Sequence, residues 1–164
     1  MKNSPYFTIK DIANYAGYNT PSMVDYLVRS GLLKPLKKYP YRKGRRRLFD
    51  LKQLILAKVY KEILSKGISV AKIKKAVEKS QELKSAQFLF SGINAGGYGV
   101  AKYFVTDGTN IFLRTIKEEN VLNLATGQFS FSYMLDIGEI HKHVVEKVFE
   151  DRPLLASSEA LRST

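Results

Sequence analysis

The chain has 164 residues, of which 45% are hydrophobic and 26% charged, a composition typical of a folded protein with a core of its own. It contains no cysteine, so disulfides and thiolate metal sites are excluded, and a reducing cytoplasm is the expected compartment. No apolar run reaches the length of a signal peptide or the roughly 18 residues of a membrane helix. We therefore expect neither export nor a membrane anchor.

The net charge of +12 is unevenly distributed along the chain. Residues 1–84 hold 20 Lys and Arg against six Asp and Glu, whereas residues 85–164 hold seven against nine. The first half therefore carries all the excess positive charge, as expected of a segment that binds a polyanion. Its densest basic stretch, KPLKKYPYRKGRRRLF at 34–49, contains Pro and Gly, which favour a turn or hairpin over a lipid-binding amphipathic helix.

The first two predicted helices are short and are separated by a glycine. Thr8 is the expected N-cap of the first helix, and Gly17 ends it. The second helix has Asn19 or Thr20 as its cap and Pro21 in its first turn, and it ends before the next glycine. Two helices of about eight to ten residues joined by such a turn have the size of a helix-turn-helix.

Two further helices are predicted after the basic stretch. Asp50 is the expected N-cap of a long amphipathic helix that Gly67 ends. The apolar face of this helix comprises Leu51, Leu54, Ile55, Val59 and Ile63. Ser69 caps a fourth helix, whose inward residues are Val70, Ile73 and Val77. The remaining face of the fourth helix is expected to be solvated and carries Lys72, Lys74, Lys75 and Lys79.

The pattern changes in the second half. Glycines cluster at 92–99, which suits a flexible junction. From Lys102 the apolar period becomes two, which predicts a small antiparallel β-meander built from KYFVT, NIFLRTI, NVLNL and QFSFSYML. A helix at 138–150 is expected to cover one face of this sheet with Ile140, Val144, Val145 and Val148. The tail from Asp151 is predicted to be frayed.

The order helix, turn, helix, basic segment, long helix and short helix resembles the MerR family of winged-helix transcription regulators over residues 6–80. The resemblance is carried by Ile12-Ala13, Gly17, Tyr26, GLLKP at 31–35, RRRLFDLKQL at 45–54 and LSKGISVAKIKKAV at 64–77. It implies a winged helix-turn-helix domain at 1–84 that is mostly α-helical with a basic β-wing. Together with the predicted β-meander and C-terminal helix, this gives an α+β fold class. A Gly-rich junction at 85–99, a small α+β dimerisation or effector domain at 100–150 and a tail at 151–164 would follow.

The chain departs from the family pattern in two ways. The stretch from Gly17 to Gly31 is one residue longer than the usual spacing, which indicates an insertion in the turn. Well-known members carry a phosphate-binding arginine in the second helix where this chain has Asp25. Asp25-Tyr26 resembles the DY found in one branch of the family. A carboxylate cannot hold a phosphate, so the grip on the DNA backbone is expected to come from the wing.

The resemblance implies that the second helix enters the major groove while the wing contacts the backbone or the minor groove. The helix residues expected at the groove are Asn19, Thr20, Ser22 and Tyr26, with Arg29 on a phosphate. For Tyr26 a place in the core or on the phosphate side is an equal alternative. The wing residues expected to contact DNA are Lys37, Lys38, Tyr41, Arg42, Lys43, Arg45, Arg46 and Arg47. The alternative for the wing is a solvated loop.

The second half resembles, more loosely, the small carboxy-terminal domain of the DY branch, through KYFVTDG and LATGQFSF. This resemblance implies a homodimer and names no effector. Helical patterning ends near residue 84, so the long pairing helix of many MerR proteins is missing, and dimerisation is expected through the C-terminal domain.

No catalytic, metal or cofactor site is predicted, so we expect no enzyme. His141 and His143 lie two apart on the predicted helix and are expected at the surface, on different faces, where they cannot chelate a metal together. GINAGGYG has neither the spacing of a dinucleotide fingerprint nor the Lys-Ser/Thr of a P-loop. No nucleophile can be paired with a base.

We therefore predict a cytoplasmic, nucleoid-associated regulator of MerR type that binds double-stranded DNA as a homodimer at a pseudo-palindromic site. RNA polymerase is a further candidate partner, and no membrane is expected. Two alternatives stay open. One is an architectural or DNA-segregation protein that uses the same winged helix with little sequence specificity, and the other is a module whose C-terminal sheet binds a protein.

Overall fold

The computed structural model describes residues 6–36, 46–82, 102–106, 111–115 and 133–153. Within these ranges the chain is mostly helical and adds one three-stranded sheet. The helices are α1 (Ile9–Ala16), α2 (Pro21–Arg29), α3 (Leu51–Ser65), α4 (Val70–Glu82) and α5 (Ile137–Asp151). The strands are β1 (Lys102–Thr106), β2 (Ile111–Thr115) and β3 (Tyr133–Asp136). None of the described helices is long and apolar enough to span a membrane.

The helix-turn-helix begins and ends where its capping residues predict. The Thr8 hydroxyl accepts from the Asp11 amide at 3.3 Å, and the Asp11 carboxylate accepts from the Thr8 amide at 2.8 Å, which completes a capping box. Gly17 ends α1 with a φ of 80°, in the left-handed region that glycine adopts without strain. Thr20, rather than Asn19, is the N-cap of α2, and Pro21 is its first residue.

The helix α3 lies at the centre of the core. Asp50 caps it by accepting from the Gln53 amide at 2.9 Å. The whole predicted apolar face is buried, and burial extends around the helix to Leu56, Ala57 and Tyr60. The Tyr18 hydroxyl donates to the Ala57 carbonyl at 2.8 Å and ties the helix-turn-helix turn to α3. Burial raises the pKa of the Tyr18 and Tyr60 hydroxyls above the usual range.

The C-terminal helix α5 packs on the N-terminal helices. It contacts α1 and α3 as well as β1. Its buried residues Ile140, Val144 and Val148 belong to the same apolar core as the helix-turn-helix. The predicted helix is therefore confirmed, and its apolar face covers α1 and α3 in addition to the sheet. His143 is exposed as predicted, whereas His141 is only partly exposed, and burial lowers its pKa.

The described strands do not follow the order of a meander. β1 pairs antiparallel with β2 and also with β3, so the order across the sheet is β2-β1-β3. β3 leads directly into α5, and α5 packs on β1, which favours a position of β3 beside β1. The predicted strand NVLNL at 120–124 and the predicted junction at 85–99 lie outside the described residues.

The predicted frayed tail does not begin at Asp151. That residue closes α5, and the next, Arg152, is only 8% exposed. The Arg152 guanidinium pairs with the Asp11 carboxylate at 3.1 Å and donates to the Tyr6 carbonyl at 3.3 Å. It also lies over the Phe7 ring, 5.0 Å from the centroid. Residues 154–164 lie outside the described ranges.

Candidate nucleic-acid interface

One face of α2 is anchored in the core and the opposite face is open to solvent. Val24 and Leu27 are 0% exposed. The predicted DNA-contacting residues at this helix all lie on the exposed side, namely Asn19, Thr20, Ser22, Tyr26 and Arg29. The amphipathic pattern of the helix therefore presents short polar side chains, one aromatic and one cation together on the surface.

Tyr26 is a surface residue. It is 47% exposed, and among the described residues it is the large hydrophobic side chain that lies open to solvent. The alternative of a place in the core is therefore wrong. An exposed ring with a hydroxyl at its tip can make both apolar contacts and a hydrogen bond with a partner.

Both described ends of the basic stretch are attached to the fold. The Leu36 amide donates to the Leu48 carbonyl at 2.9 Å, which joins the two ends of the stretch. Phe7 and Phe49 exchange two backbone hydrogen bonds, of 2.8 and 2.9 Å. On the entry side the Lys34 amide donates to the Gln53 side chain of α3 at 2.8 Å. The two ends of the basic stretch, which we call the base of the predicted wing, are thus attached to the N-terminal segment and to α3.

Most of the residues predicted to contact DNA from the wing lie in the sequence between these two attached ends. Six of them lie outside the described residues: Lys37, Lys38, Tyr41, Arg42, Lys43 and Arg45. Of the two that the structure describes, Arg46 is exposed and Arg47 is partly exposed. The backbone of Arg46 and Arg47 leads directly into the Leu48–Phe49 anchor, so both lie beside the wing base.

The Asp25 carboxylate joins α2 to the end of the basic stretch. We call Arg46 and Arg47 the wing exit. Arg47 Nη1 donates to Asp25 Oδ1 at 2.6 Å, and Arg29 Nε lies 3.1 Å from Asp25 Oδ2. We call Asp25, Arg29 and Arg47 the Asp25 cluster. The sequence offered a signal for the Asp25–Arg29 pair, because an acid four residues before an arginine on a helix is a favourable spacing. Nothing comparable pointed to Arg47, which is 22 positions away in an aperiodic stretch.

The described lysine side chains of α4 lie on a solvated face, and the side chain of Lys79 lies outside the described residues. Lys72, Lys74 and Lys75 are exposed, and Lys74 Nζ lies 3.8 Å from a Glu78 oxygen. Among the described residues no group of His, Asp and Glu is placed to hold a metal ion. The chemistry that the described surface offers beside α2 is therefore hydrogen bonding, aromatic contact and positive charge.

The helix order and the exposed face of α2 together make a helix-turn-helix, and both described ends of the basic stretch are attached to it. Residues 7–80 match the family model of the MerR HTH family regulatory proteins. The matched segment runs from the Phe7 anchor into α4 and includes the whole basic stretch. The match to MerR regulators indicates a DNA-binding helix-turn-helix and a role in transcription regulation. No curated protein matches the chain.

Proposed function

We propose that this protein is a transcription regulator of MerR type that binds a specific site in double-stranded DNA through α2 and the wing. The observation that carries the proposal is the exposed face of α2 beside a wing whose base is attached to the core. Four residues of that face contact base edges in the major groove, namely Asn19, Thr20, Ser22 and Tyr26. Their polar groups and the Tyr26 ring suit hydrogen bonds and thymine methyl contacts.

The wing and Arg29 of α2 supply the contacts to the DNA backbone. Residues 1–84 carry the whole positive excess of the chain, and a polyanion relieves the repulsion among so many like charges. The proposed phosphate or minor-groove contacts are Lys37, Lys38, Arg42, Lys43, Arg45, Arg46 and Arg47 from the wing, with Arg29 from α2. Tyr41 stacks on a sugar or stiffens the hairpin.

We further propose that two protomers bind a pseudo-palindrome, with the two α2 helices in major grooves about 34–36 Å apart. The apolar face of α5 is covered by α1 and α3 of its own chain. The dimer contact therefore uses another surface of the second half, whose charge balance of seven basic to nine acidic residues avoids repulsion. Light scattering on the full chain should give twice the protomer mass of 18.6 kDa.

Selection of bound duplexes from a random pool tests the proposed function. We expect enrichment of one sequence with two related half-sites, and an affinity for it that falls steeply with salt, with a log-log slope of several units. Recovery of unrelated duplexes with equal affinity would favour the architectural alternative. A salt slope near zero would rule out DNA as the partner.

A further inference from the structure

The Asp25 cluster places a negative charge inside the proposed DNA-binding surface. Asp11 and Asp25 are the acidic residues of the first 49 positions. The Asp11 carboxylate accepts from the Thr8 amide and pairs with Arg152. Asp25 lies on α2 between the exposed residues Ser22, Tyr26 and Arg29. A carboxylate at this place repels the phosphates that the surrounding basic residues attract.

The carboxylate also fixes the position of two cations. The Asp25 side chain is 36% exposed, that of Arg47 is 24% exposed and that of Arg29 is 66% exposed. Arg47 is therefore held against the protein, and Arg29 is held at one nitrogen while most of its side chain stays accessible. Because Arg47 belongs to the wing exit, the Asp25–Arg47 pair connects the wing to α2 directly.

These two roles of Asp25 act in opposite directions on DNA binding. Repulsion of phosphates and engagement of the arginines weaken any DNA complex. A fixed distance between wing and α2 favours the one duplex on which base contacts and backbone contacts are made together. Non-specific binding depends almost wholly on phosphate attraction. The Asp25 carboxylate therefore weakens it, and the fixed distance between wing and α2 hardly strengthens it.

We propose that Asp25 is a specificity-determining residue of the DNA interface. Its carboxylate lowers affinity for random duplex and holds Arg47 and Arg29 in the arrangement that the selected duplex requires. This inference rests on the proposed function and assigns to one acidic residue the discrimination between specific and non-specific DNA.

The Asp25→Asn variant tests the inference, because it removes the charge and keeps the shape. We expect random duplex to bind about three- to fivefold more tightly, the effect of one partly exposed ion pair. The salt slope for random duplex should steepen by about one unit per released arginine that reaches a phosphate. The selected duplex should gain less or lose affinity, so the ratio of the two affinities falls.

Glu62→Gln is the matched control. Glu62 pairs with Lys58 on α3 at 2.7 Å with a similar exposed fraction, 30%, and lies outside α2 and the wing. The control makes the same change in net charge and should leave the affinity ratio unchanged. An equal shift in both variants would mean that net charge alone acts, and it would overturn the inference.

A double variant tests whether Asp25 changes the affinity ratio through Arg47. In an Arg47→Gln background Asp25→Asn should change the affinity ratio less than it does in the native chain, because one of its two arginines is gone. Full additivity of the two substitutions would contradict the proposed link between wing and α2. Should Asp25→Asn fail to fold, Asp25→Gln is a second neutral variant with a higher helix propensity.

Failure of the inference and failure of the proposed function give different results. If the native protein shows no salt-dependent binding to any duplex, the proposed function is wrong. If it binds the selected duplex preferentially and Asp25→Asn keeps the same affinity ratio, the function stands and Asp25 is only an intramolecular ion-pair partner.

Discussion

At the end of α5, the guanidinium of Arg152 is held by two parts of the chain more than 140 positions away in sequence. Asp11 of α1 supplies the carboxylate at 3.1 Å, and Tyr6 supplies a carbonyl at 3.3 Å. The rings of Phe7 and Tyr15 lie 5.0 and 5.5 Å from the guanidinium carbon. Charge, hydrogen bonds and aromatic contact therefore all act on one buried side chain.

Replacement of Arg152 by alanine should lower the free energy of unfolding by about 1–3 kcal/mol, because the variant lacks a buried cation that stacks on two rings, and Asp11 keeps only its Thr8 partners. Denaturant unfolding of the full chain measures the change. Lys142→Ala removes a positive charge from an exposed position of the same helix and should change stability by less than about 0.5 kcal/mol. Equal decreases in the two variants would contradict the structural role of Arg152.

Single residues were predictable where their partner is close in sequence. Thr8 and Asp50 follow from local capping rules, since each bonds an amide three positions on. Arg152 and the Asp25–Arg47 pair were missed because their partners are brought close only by the fold. The sequence pattern places Arg152 in a frayed tail, since a charged residue after a helix is usually solvated.

Among the elements, α5 shows how far periodicity predicts. Its 3.6-residue pattern correctly gives the helix and its buried side, with Ile140, Val144 and Val148. The same pattern does not predict which elements the buried side contacts. In the structure α5 packs on α1, α3 and β1. Likewise the period of two predicts β1, β2 and β3, while it does not predict that β3 pairs with β1. The helix-turn-helix was better predicted because its elements are joined by short turns.

The packing of α5 makes a prediction about the stability of the N-terminal helices. Val144 is 1% exposed in the shared core. Val144→Asp places a carboxylate there and should lower the free energy of unfolding by about 3 kcal/mol or more. Amide hydrogen exchange should accelerate in α1 and α3 as well as in α5, because these helices pack together.

The neighbouring residue supplies the control for this prediction. His143 is exposed, and His143→Asp adds the same acidic group to the same helix without burying it. Exchange in α1 and α3 should stay at the native rate in that variant. Exchange that accelerates only in α5 of Val144→Asp would show that α5 opens independently of the helix-turn-helix.

For the binding of a polyanion by the whole molecule, the distribution of charge matters more than the net charge. The net charge of +12 arises in the half that contains α2 and the wing, and α4 in the same half also carries exposed lysines. A polyanion attracted only by net charge would respond to any of these cations alike. A polyanion bound by the wing would respond chiefly to the cations of the basic stretch.

The Arg45→Ala/Arg46→Ala variant separates these possibilities and leaves Arg47 with Asp25. We expect weaker binding to selected and random duplexes alike, and a salt slope flatter by about one unit for each phosphate that the variant no longer binds. Titrations of both duplexes over a series of salt concentrations measure the slopes. Lys74→Ala/Lys75→Ala removes the same charge from the exposed side of α4 and should leave the slopes nearly unchanged. Equal flattening of the salt slope in the two variants would mean that the wing contributes no more to DNA binding than α4 does. A weaker sequence preference of Arg45→Ala/Arg46→Ala with an unchanged salt slope would mean that Arg45 and Arg46 contact bases.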